Sequence, residues 1–165
     1  MTAFNIKFLP LVFLFNLFSC SNTSERLIEN NITGKVIKIK DGDTIDILFN
    51  GKALTIRFAH IDCPEYKSKQ PFGTNARQFT SDLCFGQTVT IENEQKFDRY
   101  KRLIGVVINE KGQNLNKELI KAGLAWHFKK YSNDSSYVDL ENKARQSKFG
   151  LWTDSNPTPP WEWRN

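Results

Sequence analysis

A mainly β fold of the α+β class is what this sequence predicts, and three features point to it. Short β-rich stretches alternate with turn signals early in the chain, one helical stretch separates the third strand from the fourth, and two more helical stretches follow the fifth. With 165 residues and 39% hydrophobic content, the chain suffices for one cored domain and is too short for two of ordinary size.

Gly34 to Lys40 places Val36, Ile37 and Ile39 in a β-like run, and Thr44 to Phe49 is β-rich. Asn50-Gly51 is the strongest short hairpin signal a sequence offers, so Lys52 to Ile61 reads as the returning strand. Thr74 can cap a helix whose Ala76, Phe79 and Leu83 share a face and which Gly86 ends. Gln87 to about Phe97 gives a fourth strand, and Leu103 to Asn109, almost wholly apolar, a fifth. Leu115, Leu119 and Ala122 make a short helix stopped by Gly123. Ser136 with Asp139 resembles a capping box for a third helix, striped by Tyr137, Leu140 and Ala144 and stopped by Gly150. The order β-β-β-α-β-β-α-α suits a five-stranded OB-type barrel of Greek-key topology with three helices; the same inventory could also build another small α+β sheet.

Residues 1–20 contain one charge, Lys7, and an apolar run from Phe8 to Phe18 that is too short to span a bilayer as a helix. They read as a signal segment. Leu17-Phe18-Ser19-Cys20 resembles a lipobox, which makes Cys20 the lipid-bearing residue; ordinary secretory cleavage nearby is the alternative. Either way the domain is expected outside the cytoplasm, anchored to the cell envelope or secreted. Residues 21–31 are polar and read as a tether, residues 32–152 as the domain. The tail, residues 153–165, follows Trp152; from Trp152 on, three prolines and three tryptophans exclude a single helix and suggest an extended strap on the surface. Once Cys20 is lipidated, Cys63 and Cys84 are left to form either a disulfide suited to an oxidising compartment or two separate thiols. Formal net charge is +5, compatible with a polyanionic partner and decisive of nothing alone.

Strand parity puts Asp43 in one row with Ile45, Ile47 and Phe49, and Asp62 in one row with Leu54, Ile56, Phe58 and His60. Each apolar row ends in an acid. Carboxylates at a barrel mouth are costly unless a cation or donors meet them, and two suggest a hard metal with oxygen ligands; a plain Asp-Gly turn and a plain strand exit are the bland alternatives. A flat hairpin, however, sets Asp43 opposite Phe58, four positions short of Asp62, so the strands must curl or bulge. Parity also puts Arg57 on the face opposite Asp62.

Asp41-Gly42-Asp43-Thr44, then Arg57 through Ile61-Asp62-Cys63-Pro64-Glu65, then Phe97-Asp98-Arg99-Tyr100-Lys101-Arg102, then Asn116 to Gly123-Leu124-Ala125, and Gly150-Leu151-Trp152 resemble, in this order, the staphylococcal nuclease (thermonuclease) family. The resemblance covers roughly Gly34 to Trp152. It implies an OB-fold, calcium-dependent nuclease that cuts DNA and RNA at phosphodiester bonds as a monomer. On this resemblance Asp43, Asp62 and the backbone carbonyl of Cys63 would hold Ca2+, Glu65 would orient or deprotonate the attacking water, and Arg57 and Arg102 would grip the phosphate. On the same resemblance Arg99, Tyr100 and Tyr131 would lie near the nucleic acid, with packing in a half-buried strand or loop the alternative for the two tyrosines. A guanidinium fork suits such a site because it donates to two phosphate oxygens at once. Cys63 departs from the family's best-known member, which has threonine; Lys101 departs from a frequent glycine. Of the two histidines, His60 reads as a rim or interior residue rather than a ligand, since calcium sites use oxygen; His127 has no assigned role. The alternative function is a non-catalytic nucleic-acid-binding OB module on the envelope. It is disfavoured because Asp43, Arg57, Asp62, Glu65 and Arg102 are all present.

Overall fold

Asn50 and Gly51, at φ 49° and 75°, turn the hairpin that joins β2 (Thr44–Phe49) to β3 (Lys52–Phe58). Two positive φ angles match the right-handed twist of the flanking strands. The register runs from Phe49 opposite Lys52 to Thr44 opposite Arg57. The computed structural model describes Met1 and residues 29–164. The expected signal segment, Cys20 and most of the tether therefore lie outside the described residues. Asn31, assigned above to the tether, already opens β1 (Asn31–Asp41).

Strand β1 pairs with β2 on one side and with β5 (Thr88–Phe97) on the other. Strand β5 pairs antiparallel with β6 (Leu103–Ile108), and β6 closes the circle by running parallel to β3 at Ile56–Phe58. The result is a closed barrel of order β1-β2-β3-β6-β5, with register shifts in β1 that bend it around the barrel. The five-stranded barrel reading therefore holds, and the alternative of another small α+β sheet does not. Val36, Ile45, Ile47, Ile56, Phe58 and Ile91, each with at most 1% of its surface exposed, fill the interior. Their burial supplies the main driving force.

Helix α1 (Gly73–Cys84) begins one residue before the expected Thr74 cap, with Phe72 at the cap in a left-handed conformation, φ 67°, and no side-chain cap. Packing decides this end. Phe72 lies against both apolar clusters, and Gly73 sits so close to the Glu65 carbonyl that an added Cβ would lie 2.7 Å from its oxygen. Helix α2 (Leu115–Lys121) is capped by Asn114, and α3 (Ser135–Gln146) by Asp134 rather than Ser136. After α2 and α3 the chain crosses itself at Gly123 and Gly150. Both have positive φ, and a Cβ on Gly123 would fall 2.1 Å from the Phe149 carbonyl oxygen, so glycine alone fits this crossing.

The tail combines a 3-10 turn (Gly150–Thr153) with one helical turn, α4 (Pro160–Trp163), where a fully extended strap was expected. Trp152 is buried against Trp126 with ring centroids 4.4 Å apart, and the Arg145 guanidinium lies 3.7 Å above its ring. Trp161 stacks on Phe128 at 5.3 Å, Trp163 Nε1 donates to Ser68 Oγ, and Gln70 Nε2 donates to the Thr158 carbonyl. The strap is thus docked along its length.

Candidate active site

Strand β3 does not run on to Ile61 as expected. It stops at Phe58. His60 turns into the left-handed region at φ 68°, and Ile61–Asp62 (β4) pairs instead with Trp126–His127 (β7). A non-glycine residue in that region costs about 1 kcal/mol or more and persists only where its surroundings hold it. Buried Asn116 does so: its amide donates to the Ala59 and Gly105 carbonyls, while its oxygen accepts from Val107 N–H. Phe128 N–H closes on the His60 carbonyl at 2.8 Å.

This corner answers the spacing problem without a bulge. The hairpin keeps its flat register, with Phe58 N–H donating to the Asp43 carbonyl. The chain then folds back, so that Cys63 N–H reaches Asp43 Oδ2 at 2.8 Å. Parity lapses after Phe58, and Arg57 therefore meets the acids that alternation placed on the other face. Its Nη2 lies 2.7 Å from Asp62 Oδ1 and 3.2 Å from Asp43 Oδ2, and its Nη1 donates to the carbonyls of Phe58 and Ile61.

Asp62 is 1% exposed and Asp43 is 6%, so two carboxylates share one desolvated corner. Burial and the neighbouring Asp43 push the Asp62 carboxyl up, opposed by Arg57 and Arg164. Asp41 stands beside them; burial and Asp43 raise its pKa to about 6, against a hydrogen bond from Gly42 N–H. Sequence analysis gave Asp41 no role. Glu65 is held through its backbone, its N–H donating to Gln70 Oε1 and its carbonyl accepting from Gln70 N–H. Its carboxylate accepts from Arg164 Nη1, and Arg164 Nη2 lies 2.6 Å from Asp62 Oδ2. Arg164 was also missed, because no motif or short spacing connects it to residues about a hundred positions away.

Arg102 is aimed by Asp98, with Nε and Nη2 at 2.7 and 2.6 Å from Asp98 Oδ2. Its Nη1 approaches Thr44 Oγ1 at 3.4 Å, and that hydroxyl donates to Asp43 Oδ1. Lys101, standing where the family often has glycine, takes φ 60° in this turn. Tyr100 is 64% exposed, with the Arg99 guanidinium 4.8 Å and the Arg102 guanidinium 5.3 Å from its ring centre. Tyr131 is equally open; its ring partners are Phe128 and Lys130. His60 Nδ1 bonds Ser132 Oγ at 2.9 Å, and buried His127 stacks on Tyr137; burial lowers the pKa of both. Asp43, Arg57, Asp62, Glu65 and Arg102 thus gather at one barrel end, with Arg99 and Tyr100 beside Arg102 and Tyr131 on the loop after β7.

The disulfide considered for Cys63 and Cys84 is absent: both are free, buried thiols. Cys63 packs against Gly42, where an added Cβ would meet its sulfur at 3.0 Å, and Cys84 Sγ donates to the Thr80 carbonyl within its own helix. Burial pushes the Cys63 thiol well up, and a soft sulfur is in any case a poor ligand for a hard cation. The loop from Pro64 to Phe72 is fixed instead by Gln70, which bonds Glu65 and the strap together.

Among the described residues, no group of three or more His, Cys, Asp or Glu side chains is arranged as a ready metal centre. Asp43 and Asp62 offer oxygen donors alone, and the Arg164 guanidinium lies on the Asp62 oxygen that Arg57 leaves open. That donor set fits a hard divalent ion with water completing its shell.

A family profile described as Staphylococcal nuclease homologue matches residues 55–154. The chain belongs to the staphylococcal nuclease family. An Escherichia coli protein described as an uncharacterized endonuclease is 39% identical over 160 residues, covering 96% of this chain and 97% of that one. A Shigella flexneri protein described as micrococcal nuclease is 41% identical over 141 residues, covering 79% of each. A Haemophilus influenzae relative, also described as an uncharacterized endonuclease, is 41% identical over 133 residues, covering 80% of this chain and 72% of its own. This member of the family is accordingly a nuclease, a hydrolase whose substrate is nucleic acid. Nucleases of the family are generally metal-dependent.

Proposed function

We propose that the protein is a calcium-dependent nuclease that hydrolyses phosphodiester bonds of DNA and RNA at the corner built by Ala59-His60. The observation that supports this best is the convergence of Asp43, Arg57 and Asp62 there. Asp43, Asp62 and the Cys63 carbonyl would hold the ion, which when bound supplies positive charge to the phosphate and polarises its oxygens. Arg57 offsets the charge of the acid pair and, with Arg102, binds phosphate oxygens. As water attacks phosphorus and the P–O bond to the leaving oxygen breaks, these guanidinium groups meet the negative charge that grows on the pentacoordinate phosphorane. Glu65, on its loop beside Asp62, accepts a hydrogen bond from the attacking water, aims it and takes up its proton as the bond to phosphorus forms, while the leaving oxygen is protonated from solvent. Tyr100 and Tyr131 offer open faces on which bases stack without sequence preference, and Arg99 adds charge beside them.

Glu65→Gln keeps the side chain's size and removes its charge, so it tests the water-aiming role. Turnover on single-stranded DNA should fall by at least about a hundredfold with the fold unchanged, the usual scale for a lost catalytic acid or base. Turnover near that of the unmodified protein would remove Glu65 from the mechanism.

We further propose that the protein is exported and held at the envelope by lipid on Cys20, acting as a monomer. Cell fractionation checks this: the unmodified protein should partition with membranes, and Cys20→Ser should leave it unprocessed or mislocalised. Quantitative release of the unmodified protein into the medium would mean ordinary signal cleavage.

A further inference from the structure

Arg164 stands at the far end of the strap and bridges the two carboxylates that matter most. Its fork spans Asp62, with Nη2 to Oδ2 at 2.6 Å and Nη1 to Oδ1 at 3.3 Å, and Nη1 also donates to Glu65 Oε1. Asp62 Oδ1 is already engaged by Arg57. Arg164 therefore takes the one oxygen of Asp62 that remained, together with the carboxylate assigned to the water.

We propose that Arg164 is the built-in counterion of the acid site, and that a divalent cation must displace it to reach Asp62, so that metal binding and docking of the strap end exclude one another. The proposal rests on the reading of Asp43 and Asp62 as metal ligands. Charge supports it. Asp41, Asp43, Asp62 and Glu65 crowd one barrel end against Arg57 and Arg102, of which Arg102 is paired to Asp98, and Arg164 supplies the further positive charge in contact with Asp62 and Glu65. A divalent ion would bring two charges of its own to the same oxygens, after which Arg164 would face a like charge at contact distance. Arg164 already opposes Arg57 in this way.

The strap is built for such an exchange. Its inner end is anchored by buried Trp152 in the cluster of Trp126, Ala144 and Leu151. Farther out, Pro160 is buried and Trp161 packs on Trp126 and Phe128, whereas the last residues rest on one hydrogen bond from Trp163 to Ser68 and on Arg164 itself, whose side chain is 41% exposed. The helical turn is closed by only a few backbone bonds, from Glu162 and Trp163 N–H to the Pro159 carbonyl and from Arg164 N–H to that of Pro160. Residues 162–164 can therefore leave while buried Trp152, buried Pro160 and packed Trp161 keep the strap attached. Gln70 bonds both Thr158 and the backbone of Glu65, so the loop that carries Glu65 is braced against the part of the strap that stays.

Calcium titration of the full chain and of Arg164→Ala by calorimetry tests this, with amide hydrogen exchange of residues 162–164 as a second readout. Removing the competitor should tighten calcium binding by about tenfold, the penalty relieved when a ligand no longer binds only a minor open population. Saturating calcium should also speed exchange at the Glu162, Trp163 and Arg164 amides of the unmodified chain. Equal calcium affinity in the two proteins, weaker binding by Arg164→Ala, or unchanged exchange at those amides would overturn the exchange mechanism and leave the metal reading intact. Failure of both proteins to bind calcium would overturn the metal reading and this proposal with it.

Discussion

Arg102→Lys should lower turnover on DNA by about a thousandfold, the scale seen when one preorganised donor to a developing oxyanion is removed, while thermal unfolding stays close to that of the unmodified protein. The charge is retained; the fork is lost. Arg102 is aimed by two contacts to Asp98 and by Thr44, which itself bonds Asp43. A lysine is a point charge that cannot keep those contacts and donate to two phosphate oxygens together. Its side chain is 27% exposed, so the substitution leaves the core alone. Steady-state kinetics beside a melting curve separates the outcomes, and near-normal turnover would make Arg102 a surface residue paired to Asp98.

Arg57→Ala should act on stability as well as on activity. The guanidinium satisfies Asp43, Asp62 and two carbonyls at the corner, and its removal leaves one nearly inaccessible carboxylate pair short of its main counterion. Losing one partner of a buried ionic cluster costs about 3–5 kcal/mol, and Arg164 still pairs with Asp62, so the lower end of that range is expected. Urea unfolding at neutral pH measures it. A change well under about 1 kcal/mol, the scale of exposed ion pairs, would show that Arg57 does not hold the corner together.

The barrel was legible because local signals and the tertiary fold agree. Asn50-Gly51 turned as its residues require, and the apolar rows of β2, β3 and β5 faced the interior. The corner was not legible, because nothing local announces it: alternation continues smoothly through Ala59, His60 and Ile61, and the turn there is enforced by Asn116 and Phe128, distant in sequence. The five site residues were named through ordered motifs, whereas spacing alone set Arg57 on the wrong face and Asp43 short of Asp62. For Cys63 and Cys84 the sequence left a disulfide and two separate thiols open, since only packing decides whether two sulfurs meet, and their side chains sit in separate packing sites. Arg164 could not be found, since a lone arginine near a chain end has no pattern until the strap brings it to Asp62.

A cluster of acids and arginines that works as a metal-dependent hydrolytic site makes cleavage of single-stranded DNA by the full chain follow the metal supplied. In excess chelator no cleavage is expected; calcium added beyond the chelator should restore it, and zinc should not, because oxygen-only ligands favour hard cations. Undiminished cleavage in excess chelator would mean that the cluster hydrolyses without a metal.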